Sequence, residues 1–405
     1  MSLALELFRS APRFLAAKAV GERVPGLLSG PLAPIRLVNK RDPEPPADGW
    51  VRVRPRLSGI CGSDLALLAG KSSFYFSPLV SLPFVPGHEV VGELLDDADG
   101  LSAGTRVVLD PVLNCYARGL APCAACASGH LGRCDHVTEG HLSAGLQTGY
   151  CKDTGGGWSR MLVAHRSQLH EVPDAIDDEP AVLIEPLACA VHAALAARVE
   201  PDADVLVIGA GTVGLLVTLA LRKLTDAGRI TVVAKHEHQR DLAMELGASE
   251  TVTPDRAIGS LRRATRSVKL TPERGTPFLL GGVDVALECV GSRSSLDLAL
   301  RTTKAGGRVI LTGIPSGADL TPVWFRELEL VGAYTSGEEQ LNGRTRSSFD
   351  IALELTADAP IKRLVGATYP LDRWRDAIDH AFGAGKLGTV KVAFDPMQNR
   401  GELNR

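Results

Sequence analysis

At 405 residues, with 45% hydrophobic and 22% charged residues, the chain has the balance of a folded globular protein and is long enough for two domains. A net charge of -3 excludes a general attraction to nucleic acid or anionic membrane, so neither partner is expected. Glu6, Arg9, Arg13 and Lys18 interrupt the apolar N-terminus, so no signal peptide is expected and the chain reads as cytoplasmic.

Up to about residue 185 the chain is rich in Gly and Pro, and the runs WVRVRPRL, EVVGELL and TRVVLDP predict short strands joined by long loops. From about 186 to 335 the runs DVLVIGAG, RITVVAK, VDVALECV, GRVILTG and LELVGAY alternate with helical stretches. That alternation predicts a doubly wound parallel sheet covered on both faces, hence an α/β protein. The uncharged stretch 205–221 holds three glycines and reads as a buried strand, turn and helix, too short to span a membrane. After Thr335 a polar stretch leads to a helix near 372–382 and a last strand, TVKVAF. The expected domains are 1–187 with 336–405, and 188–335 between them. The segment before Ile35 and the basic stretch 256–274 suggest no function, and Arg262, Arg263 and Arg266 read as a solvated face.

Gly209-Ala210-Gly211-Thr212-Val213-Gly214 follows an apolar strand and opens an apolar helix, the context that makes this glycine pattern a dinucleotide site. The glycines allow a tight turn and close backbone approach, and the helix N-terminus accepts a pyrophosphate. An NAD site carries a carboxylate about twenty residues further on. Here that position is Ala234, followed by the cations Lys235 and His236, which favours NADP(H) over NAD(H). The competing reading leaves Lys235 in solvent and lets Glu237 reach the ribose.

Of eight cysteines, Cys115, Cys123, Cys126 and Cys134 crowd into one loop, a spacing that suits a tetrahedral, structural zinc rather than a disulfide framework. A second donor set is dispersed: Cys61 in SGICGSD, His88 and Glu89 in PGHEVVGE, and Glu185 in IEPLA. A catalytic zinc needs three protein ligands and an open position. Gly92 stands where a zinc protease would place its second histidine, so that reading fails.

Taken in order, GICGSD, GHEVVGE, the cysteine lobe, EPLA, GAGTVG and KVAF resemble the zinc-containing medium-chain dehydrogenases, the superfamily of alcohol, sorbitol and threonine dehydrogenases. The likeness runs from about Ile35 to Phe394. It implies a GroES-like catalytic domain with a zinc lobe at about 113–136, and a Rossmann domain inserted between its two segments, with cofactor and zinc in the cleft between domains. It further implies one catalytic and one structural Zn²⁺ and a homodimer or homotetramer. Carried over by motif, Cys61 and His88 are ligands of the catalytic metal and Glu185 is the favoured third, with Glu89 as an alternative ligand or a carboxylate behind the shell. Ser63 is the hydroxyl that relays the substrate's proton, and Asp64 orients His88. The implied reaction moves a hydride between a secondary alcohol or polyol, or the matching carbonyl, and NAD(P).

Three departures stand out. Ala66 occupies the place of a proton-shuttling histidine, the first interval of the cysteine lobe is widened by YARGLAP, and Ala234 replaces the common acidic residue. Two other readings remain: a non-catalytic dinucleotide-binding homologue, and a member that oxidises aldehydes or epimerises. His192 reads as a satisfied packing residue, and Cys151, Cys189 and Cys289 as inert thiols. Phe74, Tyr75 and Trp158 are candidates for a pocket wall, and Lys391 is either a cofactor-phosphate contact or a solvated strand lysine.

Overall fold

The computed structural model describes residues 1–20, 25–30, 33–314 and 317–398. The chain divides into two compact units, Met1–Glu185 with Ile361–Arg405, and Pro186–Pro360.

The first unit is organised by the strand Trp50–Gly59, whose burial alternates because Val51, Val53 and Leu57 face the core while Arg52 and Arg56 face solvent. It pairs antiparallel with Val90–Leu94, with Leu162–His165 and with the returning strand Lys391–Asp395. Arg106–Leu109, Leu169–Glu171 and Val365–Pro370 complete a seven-stranded sheet. Val51, Val53, Val90, Leu94, Val107, Leu109 and Leu162 form one core against it.

Ahead of this sheet, Ser2–Leu7 pairs antiparallel with Ile35–Lys40. Leu7 and Phe84 exchange backbone hydrogen bonds of 2.8 and 3.1 Å, and the Leu5 amide donates to the Trp158 carbonyl. The N-terminal segment is therefore a built part of the unit. Trp158 is fully buried, and its indole N–H donates to the Gly59 carbonyl. It is a core residue and not a pocket wall, whereas Phe74 and Tyr75 are exposed.

The second unit carries a six-stranded parallel sheet in the order Glu250–Val252, Arg229–Val233, Asp204–Ile208, Val283–Glu288, Thr303–Leu311, Glu329–Gly332. Numbered along the chain this is 3-2-1-4-5-6, the doubly wound arrangement. Val205, Leu206, Val207 and Ile208 are all buried because helices cover both faces. The basic stretch holds the helix Ala257–Ala264 and the first strand of the hairpin Val268–Leu270 with Phe278–Leu280, an insertion that sequence texture did not signal.

Residues 336–360 correct the expected domain boundary, because they pack with the second unit. Within them lie the hairpin Glu338–Leu341 with Arg344–Ser347 and the helix Ser348–Asp358. The helix buries Phe349, Ile351 and Ala352, whereas the hairpin is held by a polar contact, Glu339 with His192 at 2.6 Å. A hairpin attached in that way leaves no hydrophobic pattern to read. Among the described residues no helix is long and apolar enough to cross a membrane.

Candidate metal centres and dinucleotide site

The dispersed donor set converges through strand pairing. Trp50–Gly59 ends just before Cys61, and Val90–Leu94 begins just after Glu89. Ser58 pairs with Val90, and the Gly59 amide donates to the Glu89 carbonyl at 2.9 Å. The chain then turns into the helix Gly62–Leu68, capped where the Cys61 amide donates to Asp64 Oδ2 at 3.0 Å. One donor atom from each of Cys61, His88 and Glu89 lies within 4.8 Å of the others. Gly59 is required beneath them, since a Cβ there would come within 1.9 Å of Glu89 Oε2. Glu185, in the first turn of the helix Ile184–Ala196, stands outside this group, although its charge acts on His88 and on Lys391.

The polar atoms around the group fit a bound cation and a polar ligand. Ser63 Oγ, Asp64 Oδ1 and His88 Nδ1 are buried without a hydrogen-bond partner. Buried orphans of that kind are costly unless something meets them. Asp64 Oδ1 lies 3.7 Å from His88 Nδ1, a charge contact longer than a hydrogen bond. Burial disfavours charge on the His88 ring, but Asp64 and Cys61 outweigh it and hold its pKa well above the usual histidine range. Burial pushes the Asp64 carboxyl up. Negative charge thus accumulates where a divalent ion would offset it.

Of two further neighbours, Lys391 was read from the sequence in other roles and Tyr150 was not singled out. Lys391 is neither solvated nor free for a phosphate: it is 2% exposed and ion-paired with Glu89 Oε2. Tyr150 packs its ring 5.8 Å from that of His88 and 5.3 Å from that of Phe84, forming an aromatic wall beside the cluster. Nothing local in TGYCKDTG signals that proximity.

The cysteine lobe also comes together. Donor atoms of Cys115, Cys123, Cys126 and Cys134 lie within 4.8 Å of one another. The Cys123 amide donates to Cys115 Sγ at 3.3 Å and the His136 amide to Cys134 Sγ at 3.4 Å, the kind of N–H···S support that stabilises thiolates. Backbone N–H donation, first from Asp135, lowers the Cys123 thiol to about 6, whereas burial raises Cys126 and Cys134.

The widened interval has its own brace. Arg118, fully buried, donates to the carbonyls of Leu113, Glu139, Leu142, Ser143 and Gly145 at 2.6–3.3 Å. YARGLAP therefore brings an internal clamp with it, and Cys115 stays with the other three.

In the second unit the three glycines divide their work. Gly209 has φ of 98°, open only to glycine without strain. A Cβ on Gly214 would lie 1.9 Å from the Gly209 carbonyl oxygen, so the helix can pack on the strand only with glycine there. Gly211, exposed at the N-cap of the helix Thr212–Leu224, has open space where its Cβ would stand, leaving backbone free to meet a phosphate. Thr212 and Val213 begin that helix and are partly buried. At the end of the next strand Ala234 is buried, Lys235 is exposed and His236 caps the helix Glu237–Glu245. Arg240, which sequence reading passed over, donates to the Lys235 carbonyl at 3.2 Å and adds a third cation to this turn. Glu237 is exposed.

His192 is satisfied by Glu339, as its packing role required. Burial raises the Cys289 thiol to about 12, which favours its neutral form.

Comparison with known proteins agrees with this organisation. The model of the alcohol dehydrogenase GroES-like domain matches residues 47–174, and that of the zinc-binding dehydrogenases matches 212–357. The chain is 28% identical over 353 residues to the L-idonate 5-dehydrogenase of Vitis vinifera, covering 85% of this chain and 87% of that one. It is 27% identical to the sorbitol dehydrogenase of Arabidopsis thaliana, covering 85% and 88%. A Sinorhizobium meliloti structure described as a zinc-binding dehydrogenase bound to NADP superposes with a TM-score of 0.68 at 26% identity, covering 89% of this chain and 95% of that one. Both halves of the fold and the order of the motifs lead to one family: the chain belongs to the zinc-containing medium-chain dehydrogenase superfamily and is an oxidoreductase.

Proposed function

We propose that this enzyme interconverts a secondary hydroxyl of a polyol, or of a related sugar acid, and the matching carbonyl, with NADP(H) as hydride carrier. The observation that carries the reading is the convergence of Cys61, His88 and Glu89 beside the unpartnered hydroxyl of Ser63. The similarity to idonate and sorbitol dehydrogenases supports the substrate class.

Cys61 and His88 would hold the catalytic zinc, with a carboxylate from Glu89 or Glu185. Cys115, Cys123, Cys126 and Cys134 would hold a closed, structural zinc. When bound, the catalytic ion supplies Lewis acidity to the carbinol or carbonyl oxygen. The protein's own residues do the rest. Ser63 Oγ would accept the substrate's proton as its own hydroxyl proton passes on through water, since Ala66 offers no imidazole. Asp64 holds the His88 ring with Nδ1 toward itself, leaving Nε2 for coordination. The Tyr150 ring shields one side of the group and gives an aliphatic polyol chain an apolar face to lie on. Gly209, Gly211, Thr212, Val213 and Gly214 would seat the pyrophosphate, and Lys235 and His236, with Arg240 behind them, would meet the 2′-phosphate.

The test is a turnover screen of polyols, sugar acids and simple primary alcohols with both cofactors. NADP-linked oxidation of a secondary hydroxyl, at least tenfold better in kcat/KM than ethanol with either cofactor, supports the reading. Activity confined to primary alcohols with NAD overturns it.

A further inference from the structure

The buried ion pair at the edge of the Cys61 cluster has no role in the chemistry just described, yet its placement is specific. Lys391 opens the strand Lys391–Asp395, which is registered against Trp50–Gly59 by the pairs Ala393 with Gly59 and Phe394 with Ser58. The Ile60 amide donates to the Val392 carbonyl at 2.9 Å, so the lysine is laid alongside the backbone that leads into Cys61. Its ammonium donates to Glu89 Oε2 and, at 3.3 Å, to the Ile60 carbonyl. Both charged side chains are 2% exposed. Glu89 therefore sits between two calls on its carboxylate: the ammonium on one side, and on the other the Cys61–His88 group whose donor atoms lie within 4.8 Å.

From this arrangement we infer that Lys391 is a positioning residue, which holds the Glu89 carboxylate in an ion pair and so keeps it from filling the open position of the catalytic metal. The inference rests on the Cys61 cluster holding a metal, as proposed above, with Glu185 as its carboxylate ligand. A divalent ion held by the Cys61 thiolate, His88 and the Glu185 carboxylate is already neutral, and a free Glu89 carboxylate as fourth ligand would close it. With Glu89 held by Lys391, the fourth place stays open for substrate oxygen. Removing the lysine alone leaves a buried carboxylate without its cation, a costly state that the metal would relieve. Gly59 leaves the carboxylate room where it meets the lysine, since a Cβ there would come within 1.9 Å of Oε2.

The experiment uses the full-length protein with Co²⁺ in place of zinc, and compares wild type, Lys391→Met, Glu89→Gln and the double variant. Metal content and the visible absorption of the Co²⁺ are read alongside activity. The proposal expects Lys391→Met to bind Co²⁺ more tightly than wild type and to show a shifted visible band, as a carboxylate oxygen takes the open position. Glu89→Gln and the double variant should keep the wild-type band, because without the carboxylate the lysine has nothing to withhold. Lys391→Gln, which keeps a donor to the Ile60 carbonyl but removes the charge, should behave as Lys391→Met and covers the case that Met does not fold. A wild-type spectrum in both lysine variants overturns the proposal, as does a double variant as perturbed as the single one. Wild type that takes up no Co²⁺ at the Cys61 cluster instead overturns the metal reading beneath it.

Discussion

The cysteine lobe draws four thiols from positions 115–134 of one loop, whereas the Cys61 cluster draws three unlike donors from two strand ends brought side by side. The lobe is self-contained: its thiols pack with Leu120, Ala125, Leu131 and Val137, and its backbone amides point at its own sulfurs. The Cys61 cluster depends on the strand pairing of the whole first unit, and it keeps orphaned polar atoms and a lysine at its edge. Uniform thiolates that satisfy one another suit a site that holds a loop together. Mixed donors with unmet partners suit a site that must admit something else.

Substitutions can break that contrast, and the largest effect belongs to the dispersed cluster. Cys61→Ala is expected to lower kcat/KM by about 10³-fold or more, through loss of several kcal/mol of transition-state stabilisation, while thermal stability barely changes. Steady-state kinetics beside a melting curve checks both halves.

In the lobe the balance should reverse. Cys123→Ser should lower Tm by roughly 10 °C and abolish its sensitivity to chelators, with residual activity scaling with the folded fraction. Arg118→Met should follow it at about 3 kcal/mol, because five carbonyls lose a buried cationic donor, and zinc should leave the lobe before it leaves the Cys61 cluster. Equal loss of metal from both sites would merge what the comparison separates.

A smaller effect is expected at the ribose end of the dinucleotide site. Lys235→Glu should weaken NADP(H) by about tenfold to a hundredfold and leave NAD(H) binding unchanged or improved, as read by fluorescence titration.

Glu6, which belongs to neither donor set, sharpens the comparison as a control. Burial raises its carboxyl, but Arg36 and Lys40 outweigh that and hold the pKa below the ordinary 4.5. A depressed carboxylate pKa stabilises the fold above the unfolded value, and that contribution is lost as pH falls through the folded one. Glu6→Gln should therefore flatten the acid limb of stability below about pH 4.5 and leave neutral activity and metal content alone. Denaturant melts across pH read this directly.

The same contrast explains what could be read from the chain. Gly209, Gly211 and Gly214 were legible because the strand, turn and helix they serve are contiguous. The four lobe cysteines were legible for the same reason, and Cys61 and His88 through motifs around each. Lys391 was not, since the backbone register that lays it against Ile60 joins positions 331 residues apart. Tyr150 and Arg118 were missed because their partners are a distant ring and main-chain carbonyls, neither of which leaves a residue pattern. Residues 336–347 misled through polarity: a hairpin held by Glu339 on His192 resembles a linker in composition.

Metal content measured together with cofactor binding, in wild type and Cys61→Ala, tests the central claim most directly. The account predicts about two zinc ions per chain in wild type and about one in the variant, with NADP(H) still bound by both. One zinc in each, unchanged by the substitution, would contradict it.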